Sequence, residues 1–203
     1  MKRPLRDIVI PTIVLFLICV IVTMSLALTN YATKDAIAEQ NKIQAESAKR
    51  EVFSEAETFE EIEDLDSILG AAGEEKLIKE AFHCSKNGKE IGRVYSVESN
   101  GYGGVISMVV GIDNDGKITG VKIISLSETP GLGSKVQEEP FLSQLVGITP
   151  KEALTVVKSG GSKQEEIDAV SGATISSKAV VKGIQAAIDM DKKIRELRGE
   201  AVF

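Results

Sequence analysis

The stretch DAVSGATISSKAV, Asp168 to Val180, sets three small residues, Ser171, Gly172 and Ala173, before Thr174 and a helix-forming run. Thr174 therefore puts a hydroxyl where a helix would begin. A helix N-terminus offers unpaired N–H groups and partial positive charge, and both favour a phosphate. The Gly172-Ala173 step leaves the space for a close backbone approach that a bulky side chain would block. Two readings compete: a hydroxyl that caps the helix, as Ser and Thr do routinely, and a hydroxyl to which a ligand is attached. Small residues before a helix do not decide between them.

Two further glycine-rich stretches bear on the choice. SETPGLG, Ser127 to Gly133, stands at a strand end, and its proline and glycines fix a turn of defined shape. It has neither the GK[ST] of a Walker loop nor the GxGxxG spacing of a dinucleotide site. NGYGG, Asn100 to Gly104, is a glycine turn carrying an aromatic residue, Tyr102.

Other chemistries find little support. His83 is the only histidine, so a hydrolase triad would have to use it, and in its strand-like run it reads as structural. Cys19 and Cys84 lack metal-ligand spacing and read as packing residues. The net charge of −6 and the absence of a basic stripe argue against nucleic-acid binding. The acidic run EAETFEEIEDLD and the DNDG at Asp113–Gly116 lack the ligand spacing of a calcium loop. They read as a solvated helix face and a hairpin turn.

The elements that would position these residues follow from the pattern. Residues 8–33 contain no charge, and about 20 apolar residues suffice for a helix to cross a bilayer. The run is longer than the ~7–15 residues of a signal-peptide core, which favours a retained anchor. Pro11 falls near its start, where a helix tolerates proline best. Lys2, Arg3 and Arg6 precede it, so the positive-inside rule predicts a cytoplasmic N-terminus and an extracytoplasmic remainder. The segment from Lys34 is rich in Ala, Glu, Lys and Gln, which predicts a helical stalk. Asn87-Gly88 between two strand-like runs is a hairpin signal, and the runs flanking DNDG repeat the form. Short helical pieces are expected around EPFLSQLVG and PKEALTVVKSG. In the last helix Val180, Val181, Ile184, Ala187 and Ile188 form one apolar face.

The expected fold class is α+β: a twisted antiparallel sheet with covering helices, preceded by one N-terminal transmembrane helix. The expected segments are a cytoplasmic N-terminus at 1–7, the transmembrane helix at 8–29, a helical stalk and linker at 30–78, and the main domain at 79–203.

Taken in this order behind one anchor, GYGG…VGID, ETPGLG and DAVSGAT resemble the FMN-binding G subunit of the Rnf electron-transport complex. A related family is the C subunit of the sodium-pumping NADH:quinone reductase. The resemblance covers almost the whole chain. DAVSGAT matches the family's flavinylation pattern of Asp, two variable residues, Ser or Thr, Gly, Ala and Thr. The resemblance implies FMN joined by a phosphoester to Thr174, with Asp168, Ser171, Gly172 and Ala173 completing the motif read by a flavin transferase. It also implies that Glu128, Thr129, Gly131, Leu132, Gly133 and Tyr102 lie against the flavin. No residue is implied to be catalytic by itself. The partners implied are the other membrane subunits of the Rnf complex, which couples ferredoxin:NAD oxidoreduction to sodium or proton movement. One departure is Leu126, where many relatives have a histidine; that histidine's role does not carry over.

A covalent bond has a physical rationale. Holding FMN noncovalently at nanomolar strength takes about 12 kcal/mol, and a domain outside the cell could not readily recover a lost flavin. Two other readings stay open on sequence: the corresponding subunit of the quinone reductase, and a flavin-free membrane-anchored interaction domain.

Overall fold

The computed structural model describes residues 5–63, 65 and 77–200, and it divides into two units, Met1–Lys42 and Ile43–Phe203. The described residues of the first unit and the start of the second belong to α1, a helix running Leu5–Val52. From Ile8 onward it is the one helix among the described residues that is long and apolar enough to cross a membrane. Four of its hydroxyls are satisfied within the helix: Thr12, Ser25, Thr29 and Thr33 each donate to the carbonyl four residues back, at 2.8–2.9 Å. Pro11 lies inside the helix rather than at its first position, so one interior carbonyl goes without its N–H donor.

The second unit is built on a five-stranded antiparallel meander: β1 Thr58–Glu61, β2 Ile78–Lys86, β3 Lys89–Asn100, β4 Val105–Asp113 and β5 Ile118–Leu126. The β2–β3 turn is Asn87-Gly88, with both residues at positive φ, the two-residue geometry whose twist matches the strands it joins. In the β4–β5 turn the Asp113 carboxylate accepts the N–H groups of Asp115 and Lys117, each at 2.9 Å. The β3–β4 turn is Gly101–Gly104, closed by the Gly101 N–H to the Gly104 carbonyl at 2.8 Å.

Both sheet faces are covered, which explains why β4 is buried on successive residues instead of alternating. On one face Val52 and Phe53, at the C-terminal end of α1, pack with Cys84, Val94 and Val109. Gly92, Gly111 and Gly120 leave the room for them, since a Cβ on Gly120 would stand 2.7 Å from the Val52 Cα. On the other face lies α3, Thr174–Arg198, whose Val180, Val181, Ile184, Ala187 and Ile188 are buried against Tyr95, Val97, Met108 and Val110. Between β5 and α3 come a 3-10 turn at Gly133–Gln137, the single helical turn α2 at Glu139–Leu142, and two short strands.

Those strands correct the sequence expectation. PKEALTVVKSG forms no helical piece; Thr155–Val157 is β6, pairing in parallel with β7, Glu166–Asp168. Three consecutive β-branched residues followed by Gly160-Gly161 favour a short strand over a helix. Part of the acidic run is likewise strand rather than helix. Thr58–Glu61 is β1, because pairing with Phe82–Ser85 supplies its backbone with partners while its carboxylates stay exposed at the edge. Asp64 and Asp66 of that run lie outside the described residues.

The far end of α3 is locked by a buried polar network. The Asp191 carboxylate, fully buried, accepts from Arg93 (3.1 Å), Tyr95 (2.8 Å) and Arg195 (2.6 Å). Arg195 also donates to the carbonyls of Asp113 and Asn114, each at 2.7 Å, tying the helix to the β4–β5 turn. His83 joins this region, with Nδ1 3.0 Å from Glu90 and Nε2 3.2 Å from Arg198. The tautomer with hydrogen on Nδ1 satisfies both neighbours. Burial, reinforced by the Glu90 charge, pushes the Cys84 thiol up to about 12, which makes it an inert packing group.

Asp191→Ala strands three buried donors and should cost about 3–5 kcal/mol, measured by denaturant unfolding of the full chain in detergent. Acid should weaken the same region. Burial alone would raise the Glu90 carboxyl, but the Arg198 hydrogen bond and the charge of Arg93 outweigh it and hold it low. Glu200 is likewise held low, against burial, by the hydrogen bond from Arg93. A carboxyl lowered on folding stabilises above its ordinary value of 4.5 and loses that contribution as pH falls through the folded value. The thermal midpoint of the wild type should therefore fall more steeply on acidification than that of Glu90→Gln; parallel curves would show that the pairs contribute nothing.

Candidate functional site

The N-terminus of α3 opens into a cleft of about 470 Å³. Tyr102 from the β3–β4 turn, Glu128, Thr129, Leu132 and Gly133 from the segment after β5, and Gly172 through Ser176 line it. Three stretches far apart in sequence meet there, and the volume falls within the range of small-molecule and cofactor sites.

Glu128 holds the meeting point. It is 7 % exposed, and its Oε1 accepts the N–H groups of Tyr102 (2.8 Å) and Gly103 (3.2 Å). Its Oε2 accepts the Ser176 hydroxyl at 2.8 Å. The surrounding glycines are there to admit it. A Cβ on Gly101 would collide with Oε1, and one on Gly133 would stand 2.5 Å from Oε2.

The helix start is secured from behind. The Ser177 hydroxyl accepts the Val170 N–H and donates to the Ala173 carbonyl, each at 3.0 Å. Gly172 supplies the left-handed turn, at φ 78°, that swings the chain into the helix. The cap position belongs to Ala173, whose methyl cannot cap, and Thr174 is the first helical residue. Thr174 is therefore no cap. Its side chain is exposed in the cleft beside amides that the helix itself leaves without acceptors.

Of the residues singled out in the sequence, Tyr102, Glu128, Thr129, Leu132, Gly133, Gly172, Ala173 and Thr174 line this cleft. Gly131, Ser171 and Asp168 do not. Gly131 shapes the turn, donating its N–H to the Ser134 hydroxyl at 2.9 Å. Ser171 is exposed beside the cleft. Asp168 ends β7 and lines a separate groove with Lys135, Glu138 and Gln144. Its carboxylate accepts the Gly161 N–H at 3.0 Å, and its own N–H donates to Gln144 at 2.8 Å. Asp168 thus braces the β6–β7 loop. Leu126 ends β5 opposite Ile106 and packs on the core. Ile175 and Ser176 line the cleft without having been singled out as contacts. The signal for Ser176 was the Ser176-Ser177 pair in a first helical turn, a position where hydroxyls bond to neighbouring groups.

An FMN-binding domain matches residues 101–189, a span that contains every residue lining the cleft, and an RnfG N-terminal region matches residues 1–52. The G subunit of the Na(+)-translocating ferredoxin:NAD(+) oxidoreductase complex of Acetobacterium woodii is 38% identical, over 88% of each chain. The chain belongs to the G-subunit family of ion-translocating oxidoreductase complexes. A second member, the G subunit of the proton-translocating ferredoxin:NAD(+) oxidoreductase complex of Clostridium ljungdahlii, is 34% identical over 84% of each chain. The G subunit of the ion-translocating oxidoreductase complex of Methanosarcina acetivorans is 32% identical over 81% of this chain and 84% of its own. The solved structure of Shewanella oneidensis NqrC overlays at a TM-score of 0.49 with 22% identity, covering 60% of this chain and 61% of that one.

FMN fits the cleft in kind. The α3 N-terminus offers amides and positive charge to a phosphate, and Tyr102, Leu132 and Ile175 offer exposed apolar surface to a flat ring. Gly133→Ala should drive Glu128 from its seat and cost about 1–3 kcal/mol as overpacking. Bound flavin per folded protein should fall with it, read from the visible absorbance of the purified chain.

Proposed function

We propose that Thr174 carries FMN through a phosphoester, and that this chain moves electrons within a membrane complex coupling ferredoxin:NAD oxidoreduction to sodium or proton translocation. The supporting observation is the Thr174 hydroxyl: exposed, free of a capping role, and set on the first residue of a helix facing a cleft of cofactor size.

Each part of the cleft has a task in this reading. The first amides of α3 receive the phosphate. Leu132, Tyr102 and Ile175 give the ring an apolar seat, and Glu128 with Ser176 fixes the distance between that seat and Thr174. FMN supplies one- and two-electron redox chemistry when bound. The protein binds and orients it, and no side chain here has to act as a nucleophile toward a substrate. A flavin transferase installs the group on the exposed hydroxyl. The helix spanning 8–29 holds the domain at the membrane, residues 1–7 lie in the cytoplasm, and the flavin domain lies on the outer side. Ferredoxin and NAD would then be handled by partner subunits.

Thr174→Ala tests the attachment. Because Thr174 is not a cap, the change should leave stability within about 0.5 kcal/mol. Co-expressed with a flavin transferase, the wild type should fluoresce on denaturing gels and the variant should not. The wild-type peptide containing Thr174 should gain the mass of FMN less water; an unmodified peptide from folded wild type ends the proposal. The topology has its own test. Protease added outside intact spheroplasts should remove the domain from Lys34 onward, whereas full protection of that domain reverses the orientation.

A further inference from the structure

Among the described residues lining the α3 cleft, Glu128 is the single charged one. It is buried and held on both oxygens by Tyr102, Gly103 and Ser176, so it cannot swing out to solvent without stranding those donors. A fixed charge within a partly desolvated cleft acts more strongly on its neighbours than a surface charge, and salt screens it less. The phosphate of the proposed flavin is itself anionic and would occupy the helix amides. The positive end of α3 is then largely engaged, and the carboxylate remains as the charge facing the rest of the cleft.

We propose that Glu128 lowers the electron affinity of the flavin held at Thr174, setting a more negative reduction potential. This rests on the flavin assignment above. Full reduction of the ring takes up two electrons and two protons at low pH. At higher pH it takes up two electrons and one proton, leaving one negative charge on the ring. A neighbouring carboxylate disfavours that added charge. The potential drops, and the pH at which the second proton ceases to be taken up rises. Glu128 acts here as a positioning and tuning residue, and it exchanges neither electrons nor protons with the ring.

The test uses the full-length chain, co-expressed with a flavin transferase, purified in detergent and titrated with dithionite at several pH values. Glu128→Gln keeps an oxygen to accept the Tyr102 and Gly103 amides and an amide to meet Ser176, while removing the charge. Its potential should move positive, and the break in the potential-versus-pH curve should move to lower pH. Ser176→Ala keeps the charge but removes a hydrogen bond that spreads it, so its potential should move negative. Opposite signs support the proposal. Shifts of the same sign, as a loosened cleft would produce, overturn it, and so do two unshifted potentials. If Glu128→Gln does not fold, Ser176→Ala decides alone: a negative shift supports the tuning role, and no shift or a positive one ends it. A wild type without covalent flavin on a denaturing gel sinks the flavin assignment, and this proposal with it, before any potential is measured.

Discussion

A carboxylate buried without partners is costly enough that a fold either supplies donors or excludes the group. Glu128 is supplied with three, and they come from places 25, 26 and 48 residues away. The β3–β4 turn, the segment leaving β5 and the first turn of α3 must therefore arrive together, because each withheld donor leaves an unpaired charge. The glycines at 101 and 133 answer the same constraint, since side chains there would occupy the space of the carboxylate. The shape of the cleft is the shape left over once Glu128 is satisfied.

What Glu128 does at one end of α3, Asp191 does near the other. Between them the helix lies on the sheet through an apolar stripe, and a stripe alone would permit sliding by a turn. Ser176 bonded to Glu128 at the start of the helix, and Asp191 bonded to Arg93 and Tyr95 with Arg195 on the β4–β5 turn near its end, remove that freedom, because any slip breaks several hydrogen bonds at once. Thr174 thus stands on a rigid element whose register is set from both ends, the condition under which a site holds its geometry.

Much of this was legible in the residues because local chemistry spoke for it. Asn87-Gly88 permits few conformations, and it forms the turn expected of it. The spacing of Val180, Val181, Ile184, Ala187 and Ile188 named the buried face of α3. Where the expectation failed, pairing partners distant in sequence had decided the outcome. Thr58–Glu61 is acidic enough to pass for a helix surface, yet the edge of β2 takes it as a strand. Thr155–Val157 gains its partner only when β7 arrives from beyond a glycine loop. The cleft was legible as three glycine stretches, but the function of those glycines was not. Their periodicity and turn chemistry say nothing of a carboxylate threaded between them, and Glu128 read as a neighbour of a ligand rather than as the piece that joins the walls. Asp168, a member of the same motif as Thr174, does not line the cleft, and its carboxylate accepts the Gly161 N–H of the β6–β7 loop.

The same packing accounts for how one hydroxyl among four would be chosen for modification. Ser171, Thr174, Ser176 and Ser177 lie within seven residues, and their chemistry toward a phosphoryl donor is similar. Ser177 is buried, with its oxygen engaged by Val170 and Ala173. Ser176 is buried and donates to Glu128. Ser171 is exposed but stands outside the cleft, away from the helix amides that would receive a phosphate. Thr174 alone combines an open side chain, a place in the cleft and adjacent unengaged amides. Selectivity of the proposed attachment for that residue would need no special reactivity of threonine, because the fold already engages, buries or displaces the alternatives.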